Sequence, residues 1–104
     1  MTKMERIMAE RTATHRARAD RLWAGLKDDL DCLGVRHALF GSFAAGVFMA
    51  HSDIDLMILD DLDTERMSKV ERAVSRASST HGVKVDLLFA QYLGKENVDA
   101  LLGS

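Results

Sequence analysis

Two aspartates one residue apart, Asp53 and Asp55, stand in a stretch that otherwise reads as a β-strand. On an extended backbone side chains alternate, so both carboxylates leave one face while Ile54 and Leu56 leave the other. Carboxylates held at that spacing repel each other and lower strand propensity, a cost that a divalent cation between them removes. Hard oxygen donors with open positions suit Mg²⁺, which keeps part of its octahedron for water and substrate phosphate. Asp86, midway along a later apolar stretch, is the expected third ligand if the two stretches pair side by side. Upstream, Gly41 and Ser42 close another strand-like run. A glycine there lets backbone approach a ligand closely. The amides and the hydroxyl that follow can hold phosphate oxygens, more so where a helix begins.

Each feature alone has a plain structural reading. Gly-Ser is a common turn, Asp-x-Asp a solvated strand edge, and Asp86 a strand residue facing water. Their combination points to a metal site beside a polyphosphate cradle. Average composition gives Gly-Ser, ten intervening residues and Asp-x-Asp in about one chain of this length in a thousand.

Hydrophobic period and chain punctuation predict the elements that carry these residues. Residues 3–19 predict a poorly amphipathic helix in which Met4, Ile7 and Met8 form a short apolar patch. Arg11, His15 and Arg18 then share a polar face. That face reads either as a solvated side diluted by Glu5, Glu10 and Asp20, or as part of an arm that packs on another chain. From Asp20 to Leu33 a sharper helix is expected, with Leu22, Leu26, Leu30 and Leu33 on one side, Trp23 beside them and Gly34 ending it. Residues 36–40 predict a short strand, and Ser42 to Ser52 a loop or short helix. Asp53 to Leu59 predicts a second strand, alternating at first and then continuously apolar. Asp60 to Asp63 is a turn, with Asp63 capping a helix that carries Met67, Val70, Val74 and Ala77 and stops near Gly82. Val83 to Phe89 predicts a third strand, with Val83, Val85 and Leu87 facing opposite to Lys84, Asp86 and Leu88. Gly94 to Leu102 predicts a short helix using Val98, Leu101 and Leu102. This order defines an α/β (α+β) class, a small mixed sheet covered by helices. One domain is expected over residues 1–104, with a helical extension (1–19), a core (20–90) and a C-terminal helix (91–104).

Composition sets the bounds. The 104 residues are 47% hydrophobic and 29% charged, enough apolar content to bury a core. A net charge of −2 argues against an electrostatic grip on nucleic acid. Cys32 has no cysteine to pair with. The first residues hold no apolar signal core and no run is long enough to span a bilayer, so a cytoplasmic location is expected. The apolar loop leaves two readings open for Phe43, Phe48 and Met49: core beneath the loop, or an exposed patch for a partner or a nucleobase. His51 reads as an incidental loop histidine or a ligand contact. His15, His37 and His81 have no metal-ligand spacing.

Leu39-Phe40-Gly41-Ser42, then Asp53-Ile54-Asp55-Leu56, then Val85-Asp86-Leu87 resembles the minimal nucleotidyltransferase family of the DNA polymerase β superfamily, over roughly residues 20–90. The resemblance implies that fold, with Gly41 and Ser42 holding a nucleoside triphosphate. It further implies that Asp53 and Asp55 bind two Mg²⁺ ions and contact the nucleotide, and that Asp86 ligates one ion and helps activate the attacking hydroxyl. Members this small are commonly antitoxins paired with an HEPN-type toxin, and some transfer AMP from ATP to a toxin tyrosine. ATP as substrate and an HEPN toxin as partner are therefore implied; an oligomeric or hetero-oligomeric assembly is expected of a single domain with so shallow a site. The family loop reads Gly-Ser-Arg-Ala-Arg-Gly; here it is Gly41-Ser42-Phe43-Ala44-Ala45-Gly46, without either arginine. That departure motivates an alternative, an antitoxin that acts by binding alone. A small-molecule nucleotidyltransferase is a further option, though it would need another subunit to complete a substrate cleft.

Overall fold

The computed structural model describes residues 2–103. Its first element, α1 (Lys3–Cys32), opens with a capping box. The Glu5 amide donates to the Thr2 hydroxyl at 3.1 Å, and the Thr2 amide donates to the Glu5 carboxylate at 3.0 Å. The two helical stretches expected on either side of Asp20 are thus one helix of 30 residues, about 45 Å long. No glycine or proline interrupts it between Lys3 and Ala24. An i,i+4 ion pair between Arg16 and Asp20 (3.3 Å) crosses the expected junction. Gly34, at φ 69°, turns the chain away after the helix, as its position predicts.

Three strands follow: β1 (His37–Phe40), β2 (Ile54–Ile58) and β3 (Val85–Phe89), in that spatial order with β2 central. β1 runs antiparallel to β2, whereas β3 runs parallel to it and is reached through α3 (Thr64–His81). The class expected from sequence, a small mixed sheet with helices on it, is the class observed. Each strand is shorter than the stretch predicted for it. Asp53 precedes β2 and Val83 precedes β3, although pairing extends one bond further where the Ile54 amide donates to the Lys84 carbonyl (3.0 Å). Asp63 caps α3 by accepting from the Arg66 amide at 2.8 Å.

A 3₁₀ turn at Ala90–Tyr92, which the sequence does not announce, precedes α4 (Lys95–Gly103). The Gln91 side-chain amide holds it in place. It accepts from the Leu62 amide (2.7 Å) and donates to the Leu62 carbonyl (3.2 Å).

Register separates the two sheet faces. Ile54, Leu56 and Ile58, with Leu39, Val85, Leu87 and Phe89 beside them, face the core, where Leu22, Leu26 and Leu30 of α1 meet Val70 and Val74 of α3. The fully buried aliphatic side chains among them, Leu22, Leu26, Leu30, Ile54, Leu56, Ile58 and Val70, contribute about 1.5–3 kcal/mol each. The opposite face carries Phe40, Asp53, Asp55, Met57, Asp86 and Leu88; α4 lies against β1. Between β1 and β2, α2 (Gly41–Ala45) ends at Gly46 (φ 78°). Phe43 and Phe48 fold back edge to face, 5.2 Å between centroids, and are buried. Of the three loop residues with two readings, those two are core and Met49 is exposed. Among the described residues no helix is long and apolar enough to cross a membrane.

Candidate active site

The site is built where β1 ends and β2 and β3 begin. In the parallel ladder Asp55 is the direct partner of Asp86, and in the antiparallel ladder it is the partner of Phe40. Residues so paired project from the same face, and Asp53, two residues before Asp55, shares it. The next residue after Phe40 is Gly41, where α2 starts. Gly41 has φ 72°, and a Cβ there would fall inside the Asp55 carboxylate. Glycine is therefore required on two counts, by backbone conformation and by lack of space. Ser42 follows on the first turn of the same short helix. Gly41, Ser42, Asp53, Asp55 and Asp86 are thereby gathered at one edge of one sheet face.

The electrostatics follow from that crowding. Burial holds the Asp55 carboxyl above the usual carboxylate range, and the Asp86 and Asp53 charges push it further up. Lys84 is the local counter-charge, with Nζ 3.9 Å from Asp53 Oδ2 and 3.6 Å from Asp86 Oδ1. Its side chain is 71% exposed, so these long ion pairs are weakened by solvent. Among the described residues no three His, Cys, Asp or Glu side chains are drawn into a closed metal-ligating group. The three aspartates share a face, with a single ammonium between two of them. An oxygen-only set in which ionisation of Asp55 is disfavoured fits a hard divalent cation of the Mg²⁺ type.

Two contacts near the site lie outside the sequence expectations. His15 Nε2 is 2.9 Å from the Ser52 carbonyl oxygen, and the His15 ring stacks on Phe48 at 5.0 Å with 5° between planes. Arg16 lays its guanidinium over the Phe43 ring, 5.0 Å from the centroid. Neighbouring residues of α1 thus grip the residue after Ser42 and the residue before Asp53. No periodicity marks His15, since its partner lies 37 residues away. Lys84 was legible only as a residue on the same face as Asp86. His51 is exposed and lines a groove against α1.

No curated protein and no solved structure matches the chain. The sequence profile described as "Nucleotidyltransferase domain" does match, over residues 19–103, a span that takes in the α1 leucines, the Gly41–Ser42 turn and all three aspartates. With that span covering most of its length, the chain belongs to the nucleotidyltransferase domain family, whose role is nucleotidyl transfer.

Proposed function

We propose that this chain transfers AMP from ATP to a hydroxyl of a partner protein, as the antitoxin of a pair with an HEPN-type toxin. The observation that carries the reading is the register of β2 and β3, which sets Asp86 beside Asp55 while Gly41, lacking a side chain, lets the same carboxylate pack directly against its backbone. In this reading Gly41 lets the triphosphate approach, and the Ser42 hydroxyl and nearby amides donate to its oxygens. Asp53, Asp55 and Asp86 would hold Mg²⁺, which neutralises phosphate charge and makes the acceptor hydroxyl more acidic. The acceptor oxygen bonds to the α-phosphorus, the bond to the bridging oxygen breaks, and pyrophosphate leaves. Asp86 takes the hydroxyl proton. The protein contributes placement and charge in place of covalent chemistry.

The test uses labelled ATP, Mg²⁺ and the product of the adjacent reading frame, with mass analysis of both proteins. One adenylyl unit should appear on the partner, and Asp53→Asn or Asp55→Asn should lower its formation at least about a hundredfold, the scale of losing one preorganised charge-stabilising group. Circular dichroism should show both variants folded. Unchanged label transfer in either variant ends the reading.

One observation favours a second reading. Phe43 and Ala45 stand where the family loop carries arginines, and Phe43 is buried, so neither supplies a cation to the phosphates. The chain would then neutralise its partner by binding alone. Calorimetry separates the two: MgATP binding that is lost in Asp53→Asn supports transfer, and neutralisation that persists without any MgATP binding supports occupancy.

A further inference from the structure

The first half of α1 has no buried side chain; burial on this helix begins at Ala19. Its stripe nonetheless continues the core-facing side of the helix, and it ends in exposed apolar residues: Met4 (72% exposed), Ile7 and Met8. Across from them the loop before Asp53 exposes Met49. Two adjoining concavities, about 480 and 350 Å³, run between helix and loop and share Arg11, Ala50 and His51. Met8 and Met49 line one; Ile7, His15 and Arg18 line the other. The groove ends at Ser52, the residue before Asp53. Its floor is already built, because His15 stacks on Phe48 and its ring nitrogen meets the Ser52 carbonyl. A partner docking there orders little new structure.

Charge selects the occupant. The charged side chains lining the groove are Arg11 and Arg18 against Glu10, on an arm (residues 3–18) with five Lys and Arg and two Glu in a chain whose net charge is −2. Two such arms repel when laid together, whereas an acidic segment is attracted and steered. We infer that this groove docks an acidic amphipathic segment of the acceptor protein, its apolar side chains entering between Met8 and Met49 and its carboxylates pairing with Arg11 and Arg18. The inference rests on the reading that the acceptor is a protein. It adds where that acceptor is held: beside the segment that delivers Asp53, so that docking and transfer share one edge of the molecule.

The experiment uses the full chain and fluorescence anisotropy. The probe is a labelled helical peptide with Leu at three-to-four spacing and Glu between; the control has Lys in place of each Glu. The Glu peptide should bind and the Lys peptide should not. Binding should fall at least about tenfold in the double variant Arg11→Glu, Arg18→Glu, and should weaken as salt rises. Both arginines are exposed and neither is part of the nucleotide site, so the variant should fold and bind MgATP as the parent does. Equal binding of the two peptides, or undiminished binding in the double variant, overturns the inference. So does light scattering that shows a dimer abolished by Met8→Ser and not displaced by the Glu peptide, because a second copy then covers the groove. A chain that binds MgATP but not the Glu peptide loses the groove and keeps the transfer reading. A chain that binds the Glu peptide and not MgATP loses the transfer reading and keeps the groove as a binding surface.

Discussion

The two faces of β2 do opposite things with the same five-residue strand. One face, Ile54, Leu56 and Ile58, is fully buried between α1 and α3. The other carries Asp55, with Asp53 one residue before the strand, and reaches cover only at Met57. The apolar face supplies stability through transfer from water and close packing. The acidic face spends some of it, since Asp55 is held half-buried beside two like charges and above its ordinary pKa. A strand can separate the two tasks because neighbouring side chains point opposite ways. The comparison teaches that binding capacity here is a local destabilisation, carried by a core directly behind it.

The largest effect expected from breaking this arrangement is on the buried side. Leu56→Ala leaves a cavity between β2 and both long helices and should cost about 2–5 kcal/mol in a urea titration. A cost under about 1 kcal/mol would show that the core face is not what supports the site. Gly41→Ala should come next. A positive φ in a non-glycine residue costs about 1–2 kcal/mol, and the new methyl group displaces the Asp55 carboxylate. Nucleotide and Mg²⁺ binding should fall more than stability does, and calorimetry on the folded variant reads that split.

The smallest effect has the opposite sign. A raised carboxyl pKa means that the folded state binds its proton more tightly, so the favourable contribution of Asp55 is complete below 3.8 and is lost as pH rises through the raised folded value. At neutral pH, Asp55→Asn should therefore melt above the parent. The difference should shrink toward zero as pH falls to 3.8, and Mg²⁺ added to the parent should narrow it. A variant that melts below the parent at neutral pH would show that Asp55 is stabilised by its surroundings.

Much of this was legible before any coordinates. The helix ends at Gly34 and Gly82, the Asp63 cap and the alternation around Asp55 and Asp86 are local, set by backbone preference within a few residues. The segment before β1 is legible as helix along its length; what changes near Asp20 is its amphipathicity, because the apolar stripe fades between Met8 and Leu22 while nothing in that stretch halts a helix. The 3₁₀ turn was missed because it depends on the Gln91 amide meeting the Leu62 backbone, a contact that no periodicity signals. Lys84 between Asp53 and Asp86, and His15 on Ser52, were missed for the same reason.

What the chain's order of residues determined alone is which side chains share a face: Asp53 with Asp55, Lys84 with Asp86, Ile54 with Leu56. It also determined that Gly41 and Ser42 lie at a strand end. Only the tertiary structure decided that β2 and β3 are parallel neighbours in a register that sets Asp55 opposite Asp86. A slip of one residue would turn Asp86 toward the core and remove it from the site. That choice is made by burial of the alternate residues against α1 and α3, a property of the packed molecule and of no segment within it.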